Sequence, residues 1–290
     1  MAHRTSRLIS CLAATAFLLS GAGIANAQEA EPATGAAPAI TSGPPAANSD
    51  QELAQKLANP VSAMITVPFQ ENLDFGAGPR GEGVKSTLNI QPVIPLPLSA
   101  DWHLIVRTIL PVIAQDDISA PRKSEFGLGD TTQTLFVSPT KNGGGGVTWG
   151  AGPALLYPTA TDHRLGGGKW GAGPSALVLK QSHQVTFGVL ANHIWSIAGK
   201  DSRGDISSTL IQPFFSHSSA RGTTFSLNTE TSYDWKGKNW LVPVNVSVAQ
   251  LTRIGKQRVQ VGIGGRYYVE KPEGGPDWGI RAVLTFLFAE

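Results

Sequence analysis

The stretch TTFSLNTETSYDW, residues 223–235, constrains the fold more than any other feature of the chain. Phe225, Leu227, Thr229, Thr231, Tyr233 and Trp235 fall on one side of an extended strand. Ser226, Asn228, Glu230, Ser232 and Asp234 fall on the other. NWLVPVNVSVAQ repeats the pattern, with Trp240, Val242, Val244, Val246 and Val248 against Leu241, Pro243, Asn245, Ser247 and Ala249. RVQVGIGGRYYV sets Val259, Val261, Ile263, Tyr267 and Val269 against Arg258, Gln260 and Arg266. The final strand, within DWGIRAVLTFLFAE, is apolar at Trp278, Ile280, Ala282, Leu284, Phe286 and Phe288. Its facing set, Gly279, Arg281, Val283, Thr285 and Leu287, is mixed and carries a charge. A period of two residues means strands here. Either a protein core or lipid must cover their oily face.

The same alternation predicts about twelve strands along the chain, at 61–75, 84–98, 101–114, 125–138, 146–157, 169–180, 184–197, 207–217, 222–235, 239–252, 257–269 and 277–289. Their connections alternate in length. One set is tight, around Ser99-Ala100, Ser182-His183, Ala220-Arg221 and Gly255-Lys256; the other, at 76–83, 115–124, 158–168, 198–206 and 270–276, is longer and polar. Two members break the rule: the turn around Lys236-Gly237 is short, and Pro139 to Gly145 is long. An even strand number with tight turns on one rim and longer loops on the other describes an antiparallel up-and-down transmembrane barrel of the outer-membrane type. A soluble sandwich has similar strand spacing but no reason to sort its loops.

The N-terminus carries an export signal. His3, Arg4 and Arg7 precede an apolar run from Leu8 to Leu19, and Ala25-Asn26-Ala27 is a small-x-small cleavage site. Leu8-Ile9-Ser10-Cys11 has the outline of a lipobox, but the apolar run continues past Cys11. Removing residues 1–27 takes away the one cysteine, so the mature chain forms no disulfide. It also removes Arg4 and Arg7 and no acid, so the formal charge falls from +2 to zero. That balance gives no reason to expect nucleic acid. No later apolar run approaches the ~20 residues of a membrane helix. Residues 28–48 are rich in Ala, Pro and Gly and read as a disordered tether. Ser49 with Glu52 forms a capping box, Leu53 and Leu57 share a face, and Asn59-Pro60 is a stop. These predict a short helix over 49–59, on the surface or, as the alternative, folded up against a pore, followed by a barrel over 60–290.

All seven tryptophans sit near predicted strand ends. Trp170, Trp195, Trp235, Trp240 and Trp278 fall at the long-loop rim, and Trp102 and Trp149 at the other. Indole rings favour the headgroup layer, so this spacing predicts two aromatic girdles.

By parity, Asp74, Lys85, Asn89, Gln91, Arg107, Gln212, Asn228, Glu230, Asn245, Arg258, Arg266 and Arg281 share the inward face. Arg107, Glu230, Arg266 and Arg281 are the candidate lumen residues. They would either pair and fill the interior or form a constriction that selects solutes by charge. Twelve strands lie between a barrel that side chains just fill and an open porin. The sequence holds no G-x-S-x-G elbow, phosphate loop, H-E-x-x-H or cysteine metal site, so no catalytic residue, metal or cofactor is expected. His193 near Ser196 and His217 near Ser216 are the sole outline of an outer-wall hydrolase. Pro68, Pro92, Pro95, Pro97, Pro111, Pro153, Pro174, Pro213 and Pro243 lie in or near strands, where each removes a ladder donor. WGAGP occurs twice, at 149–153 and 170–174, on neighbouring strands. It is expected to mark a bend, or alternatively a lateral opening between them.

LANPVSAMITVPFQENLDFGAGP, LNIQPVIPLPLSADWHLIVRTILPVIAQDD, FGLGDTTQTLFVSP, WGAGPALLYPTATD, KWGAGPSALVLKQ, ANHIWSIAG, FSLNTETSYDW and WLVPVNVSVAQL together resemble a family of bacterial outer-membrane transporters. The family often carries the misapplied label "neuromedin U" and is similar to the meta-pathway phenol-degradation outer-membrane proteins. The resemblance covers about residues 53–288. It implies a β-barrel that passes small compounds, hydrophobic or aromatic ones among them, and supplies no site residues. The expected surroundings are outer-membrane lipid and lipopolysaccharide, the barrel-assembly machinery and a small solute, with no nucleic acid. A plugged structural or surface-binding barrel, and an outer-membrane hydrolase, are the alternatives to a channel.

Overall fold

Side-chain alternation becomes a closed wall in the computed structural model, which describes residues 50–141 and 143–288. The predicted signal peptide and tether lie outside these residues. The strands are β1 (Ile65–Ala77), β2 (Gly83–Ile90), β3 (Val93–Pro97), β4 (Trp102–Asp116), β5 (Ser124–Leu128), β6 (Thr131–Pro139), β7 (Val147–Tyr157), β8 (Lys169–Ser182), β9 (Val185–Gly199), β10 (Ser207–Ser218), β11 (Thr223–Thr229), β12 (Thr231–Asp234), β13 (Asn239–Ile254), β14 (Gln257–Glu270) and β15 (Trp278–Phe288). The pairs β2/β3, β5/β6 and β11/β12 are each one stave with a break, so the barrel has twelve staves. Each pairs antiparallel with its sequence neighbours. β1 closes on β15 in register from Ile65↔Phe288 to Phe75↔Trp278. Closure leaves no free edge, which is what a sheet in hydrocarbon requires.

The breaks fall at Gln91-Pro92, Gly129-Asp130 and Glu230. Period-two reading predicted the staves but not these breaks. β1 also begins later than the predicted 61. Val61 turns inward and packs with Ile105, Phe136, Leu177, Leu179 and Leu190 inside the barrel.

Polarity is inverted relative to a soluble protein. The exposed residues include Val178, Phe187, Ile211, Leu227, Val246, Val248, Val261, Ile263 and Ile280. Those buried include Asn72, Asp74, Gln115, Asn245 and Arg281. All seven tryptophans are exposed on the outer wall, from 39% to 56%. Their rings meet neighbours: Trp102 with Trp149 at 5.8 Å, Tyr157 with Trp170 at 5.6 Å, Phe75 with Trp278 at 4.6 Å. An apolar outside and a polar inside is the solution for a barrel solvated by lipid. The chain is an outer-membrane barrel.

The tight connections lie on the rim where β1 begins and β15 ends, at 98–101, 183–184, 219–222 and 255–256. This is the periplasmic side by the rule that periplasmic turns are short. The connection at 140–146, on this rim, is longer, and 235–238 on the opposite rim is short.

The helix takes the alternative seat, against the pore, and not the surface one. α1 (Asp50–Leu57) crosses the periplasmic mouth. Asp50 pairs with Arg258 on β14, and at the other end the Gln55 carbonyl accepts from Gln181 Nε2 on β8 at 2.8 Å. These strands stand on nearly opposite sides of the wall. Leu53 and Leu57 pack on Met64, Leu251 and Leu287, and Ala54 is wholly buried. A helix of this length spans about 12 Å and is about 10 Å across, which suits a mouth of this kind. The reason for the inward seat is that its apolar stripe finds cover there, whereas on the surface it would face water.

The WGAGP repeats do not open the wall between their own strands. β7 and β8 pair in continuous register from Val147↔Lys180 to Leu156↔Gly171, with Pro153 opposite Pro174. A lateral opening at that seam is therefore excluded. The ladder gaps lie on the two flanking seams, at Leu135 and Phe136 against β7 and at His193 and Ile194 against β8. The prolines lack the donors for those rungs. A Cβ on Gly152 would lie 1.8 Å from the Leu135 carbonyl oxygen, and one on Gly173 1.7 Å from that of His193. Glycine is required at both because the neighbouring backbone comes that close.

Candidate functional site

The barrel interior divides into two kinds of wall. Strands β3 to β10 contribute Val93, Ile105, Phe136, Leu177, Leu190, Leu210 and Phe214, which form one apolar cluster around Val61. The wall made by β1 and β11 to β15 carries the cluster of Asp74, Glu230, Arg266 and Arg281.

There the guanidiniums of Arg266 and Arg281 converge on Glu230, the residue at the β11/β12 break. Arg281 Nη2 donates to Glu230 Oε2 at 2.9 Å, and its Nε donates to Asn72 Oδ1 at 2.7 Å. Arg266 lies 3.6 Å from Glu230 and 3.5 Å from Asp74, and stands 5.3 Å from the Tyr268 ring centroid. Asn245 donates to Asn228 at 2.8 Å alongside. The break in the stave frees Glu230 from the ladder and turns it to both arginines. Among the described residues, Asp74 Oδ1, Arg266 Nε and Asn245 Oδ1 have no hydrogen-bond partner. Gly279 allows Asp74 its place, since a Cβ there would lie 2.4 Å from Asp74 Oδ1.

Arg107 stands apart from this group. It rises from β4 beside the apolar cluster, and its one side-chain hydrogen bond is to Gln91 Oε1, at 3.2 Å. Among the described residues no carboxylate lies within ion-pair distance of it. Of the four predicted lumen residues, the structure thus joins three by ion pairs and sets the fourth beyond ion-pair distance, within the field of Glu230.

Two cavities flank the segment that joins α1 to β1. One, of about 230 Å³, is lined by Leu57, Arg107, Leu190, Phe214, Asn228 and Gln260, among others. The second, of about 170 Å³, lies on the Gln91, Val93 and Thr285 side, and shares Leu57, Pro60, Arg107 and Gln260. Arg107 therefore faces whatever space the helix leaves in the lumen.

The predicted serine–histidine pairs are not assembled. Ser196 Oγ donates to Asp205 at 3.3 Å and accepts from the Ile206 amide. His193 faces outward, with Nδ1 2.7 Å from Thr209 Oγ1, Nε2 3.3 Å from Ser207 Oγ, and its ring 4.1 Å from that of Trp195. His217 is exposed and Ser216 is buried on the opposite face. Among the described residues no group of His, Cys, Asp and Glu could hold a metal ion.

Sequence parity did not single out Asn72 or Phe214, and the sequence named Ser216 only as a neighbour of His217 and not as a lumen residue, because parity reports a face and not a meeting point.

No family model and no curated protein sequence matches the chain. Among solved structures, the COG4313 outer membrane channel from Pseudomonas putida F1 superimposes with a TM-score of 0.60 at 17% identity, over 78% of this chain and 94% of that one. The β domain of the Bordetella autotransporter BrkA gives 0.44 at 13% identity, over 78% and 100%. Outer membrane phospholipase A from Escherichia coli gives 0.40 at 12% identity, over 83% and 99%. The first of these shares the fold of this chain: a closed antiparallel barrel from the outer membrane.

Proposed function

We propose that this protein is an outer-membrane channel for the passive passage of small solutes. Its constriction is formed by Glu230, Arg266 and Arg281 from one wall and Arg107 from the other. The observation that carries this reading is the polar interior within a lipid-facing wall, with cavities persisting on both sides of α1. A wall that served only as an anchor would gain from a dry, apolar filling, because buried ion pairs stabilise less than well-packed hydrophobic side chains. The solved channel with the same fold adds support. The outer wall would meet membrane lipid and lipopolysaccharide between its girdles, and the barrel-assembly machinery would engage the aromatic last strand.

The second reading is a plugged barrel with a structural or surface-binding role. It is favoured by α1 across the mouth and by the Arg281–Glu230 bridge. Single-channel conductance of the mature protein in planar bilayers separates the two. The channel reading expects discrete conductance that rises in Glu230→Ala, where the bridge is lost, and falls in anion preference in Arg107→Ala. Silence in all three proteins would favour the plugged barrel.

A further inference from the structure

The two cavities beside α1 share a feature of charge that narrows the solute class. Among the described residues no aspartate or glutamate lines either one. The larger is lined by one cation, Arg107, and the smaller by Arg107 and Lys56. Elsewhere in the lumen the guanidiniums of Arg266 and Arg281 are matched by Glu230 and Asp74. The Arg107 guanidinium donates to a neutral carboxamide; among the described residues no carboxylate reaches ion-pair distance of it, and Glu230 acts on it only across a longer gap.

The larger cavity is also two-faced. Phe214, Leu190 and Leu57 form an apolar side, and Gln212, Asn228 and Gln260 a polar one. Ser216, 6% exposed, lines it as well, and among the described residues its Oγ has no hydrogen-bond partner. Buried hydroxyls are otherwise almost always paired. The volume of about 230 Å³ lies below the range of drug-sized pockets. It equals the liquid volume of roughly eight waters. A single ring or a short chain fits it.

Resting on the channel reading, we infer that this cavity is a binding site for a small organic anion: one carboxylate or similar acid group on an apolar body of about one ring. The acid group meets Arg107, whose planar fork suits a carboxylate. The apolar body lies against Phe214 and Leu190, and the Ser216 hydroxyl donates to the anion or to a second polar group on it. A neutral molecule of the same shape gains the apolar contact and forgoes the charge-assisted hydrogen bonds. Those are worth about 1.5–3 kcal/mol, or roughly ten- to a hundredfold in affinity.

The test uses the mature full-length protein in lipid nanodiscs, with calorimetric titration of benzoate, benzyl alcohol and acetate. Benzoate is expected to bind at least about tenfold more tightly than benzyl alcohol or acetate. Arg107→Gln should abolish the preference over benzyl alcohol, and Arg107→Lys should keep much of it. Gln212→Glu leaves Arg107 in place but puts an acid in the cavity, so it should weaken benzoate and spare benzyl alcohol, whether or not Arg107→Gln folds. Equal affinity for benzoate and benzyl alcohol, or benzoate binding unchanged in Arg107→Gln or Gln212→Glu, would overturn the site. Benzoate binding without conductance would sink the channel reading alone, and conductance without benzoate selectivity would sink only this inference.

Discussion

At the scale of single residues, strand parity carries most of the information. It placed Asp74, Glu230, Arg266 and Arg281 on the inward face from sequence alone, since an ion at mid-strand cannot face hydrocarbon cheaply. It could not show that three of them meet at Glu230. That meeting depends on how staves far apart in sequence curve toward one another, and on the break at Glu230. Parity also identifies an exception. Glu71 shares its face with Phe69, Leu73 and Phe75, the outward face of β1, halfway between the rims. Ser86 Oγ donates to its carboxylate at 2.7 Å. Its cross-strand neighbours are Ala282 and Leu88. A lone acid there opposes the lipid-facing role of the wall, and one hydrogen bond does not repay its desolvation. Glu71→Leu should therefore stabilise the barrel by about 1–2 kcal/mol, less than the cost of a misplaced arginine. Reversible urea unfolding in lipid vesicles reads this as a raised midpoint. A lowered midpoint would mean that the carboxylate has a partner in the membrane.

At the scale of elements, twelve staves were legible because each alternates long enough for the period to show. The helix was legible as a helix, from Leu53, Leu57 and its Asn-Pro stop (Ser49 of the capping box lies outside the described residues), while its residues do not decide between the surface and the pore as its location. Leu53 and Leu57 mark an apolar stripe and cannot say which surface covers it. The WGAGP repeats were legible as irregular places in the wall. Their arrangement was not, since it depends on register: the twin prolines stand opposite each other, and the pairing gaps fall on the flanking strands. The close approach at Gly173 makes a sharp expectation. Gly173→Ala puts a methyl where the His193 carbonyl stands, and should destabilise by about 3 kcal/mol, the upper part of the overpacking range. Gly265→Ala is the control, because nothing lies within 4 Å of its Cβ position. It should move the urea midpoint little. Equal effects from the two would show that β8 and β9 are not packed as described.

At the scale of the whole molecule, the account rests on inverted polarity. The exposed aliphatic residues on β10 to β15 would be a serious aggregation liability in water. In a bilayer they are the solvated surface. The predicted loss of Cys11 with the signal peptide leaves a mature chain without cysteine, so single-cysteine probes can be placed one at a time without background. The most direct measurement is the accessibility of nitroxides along β13, at residues 244 to 249, in reconstituted vesicles. Spin labels at Val244, Val246 and Val248 should collide with oxygen dissolved in the bilayer and escape a water-soluble nickel reagent. Labels at Asn245, Ser247 and Ala249 should be far less accessible to oxygen, giving a period of two. Nickel access at Val246 and Val248, or no alternation, would contradict a lipid-facing wall and with it the barrel's place in the membrane.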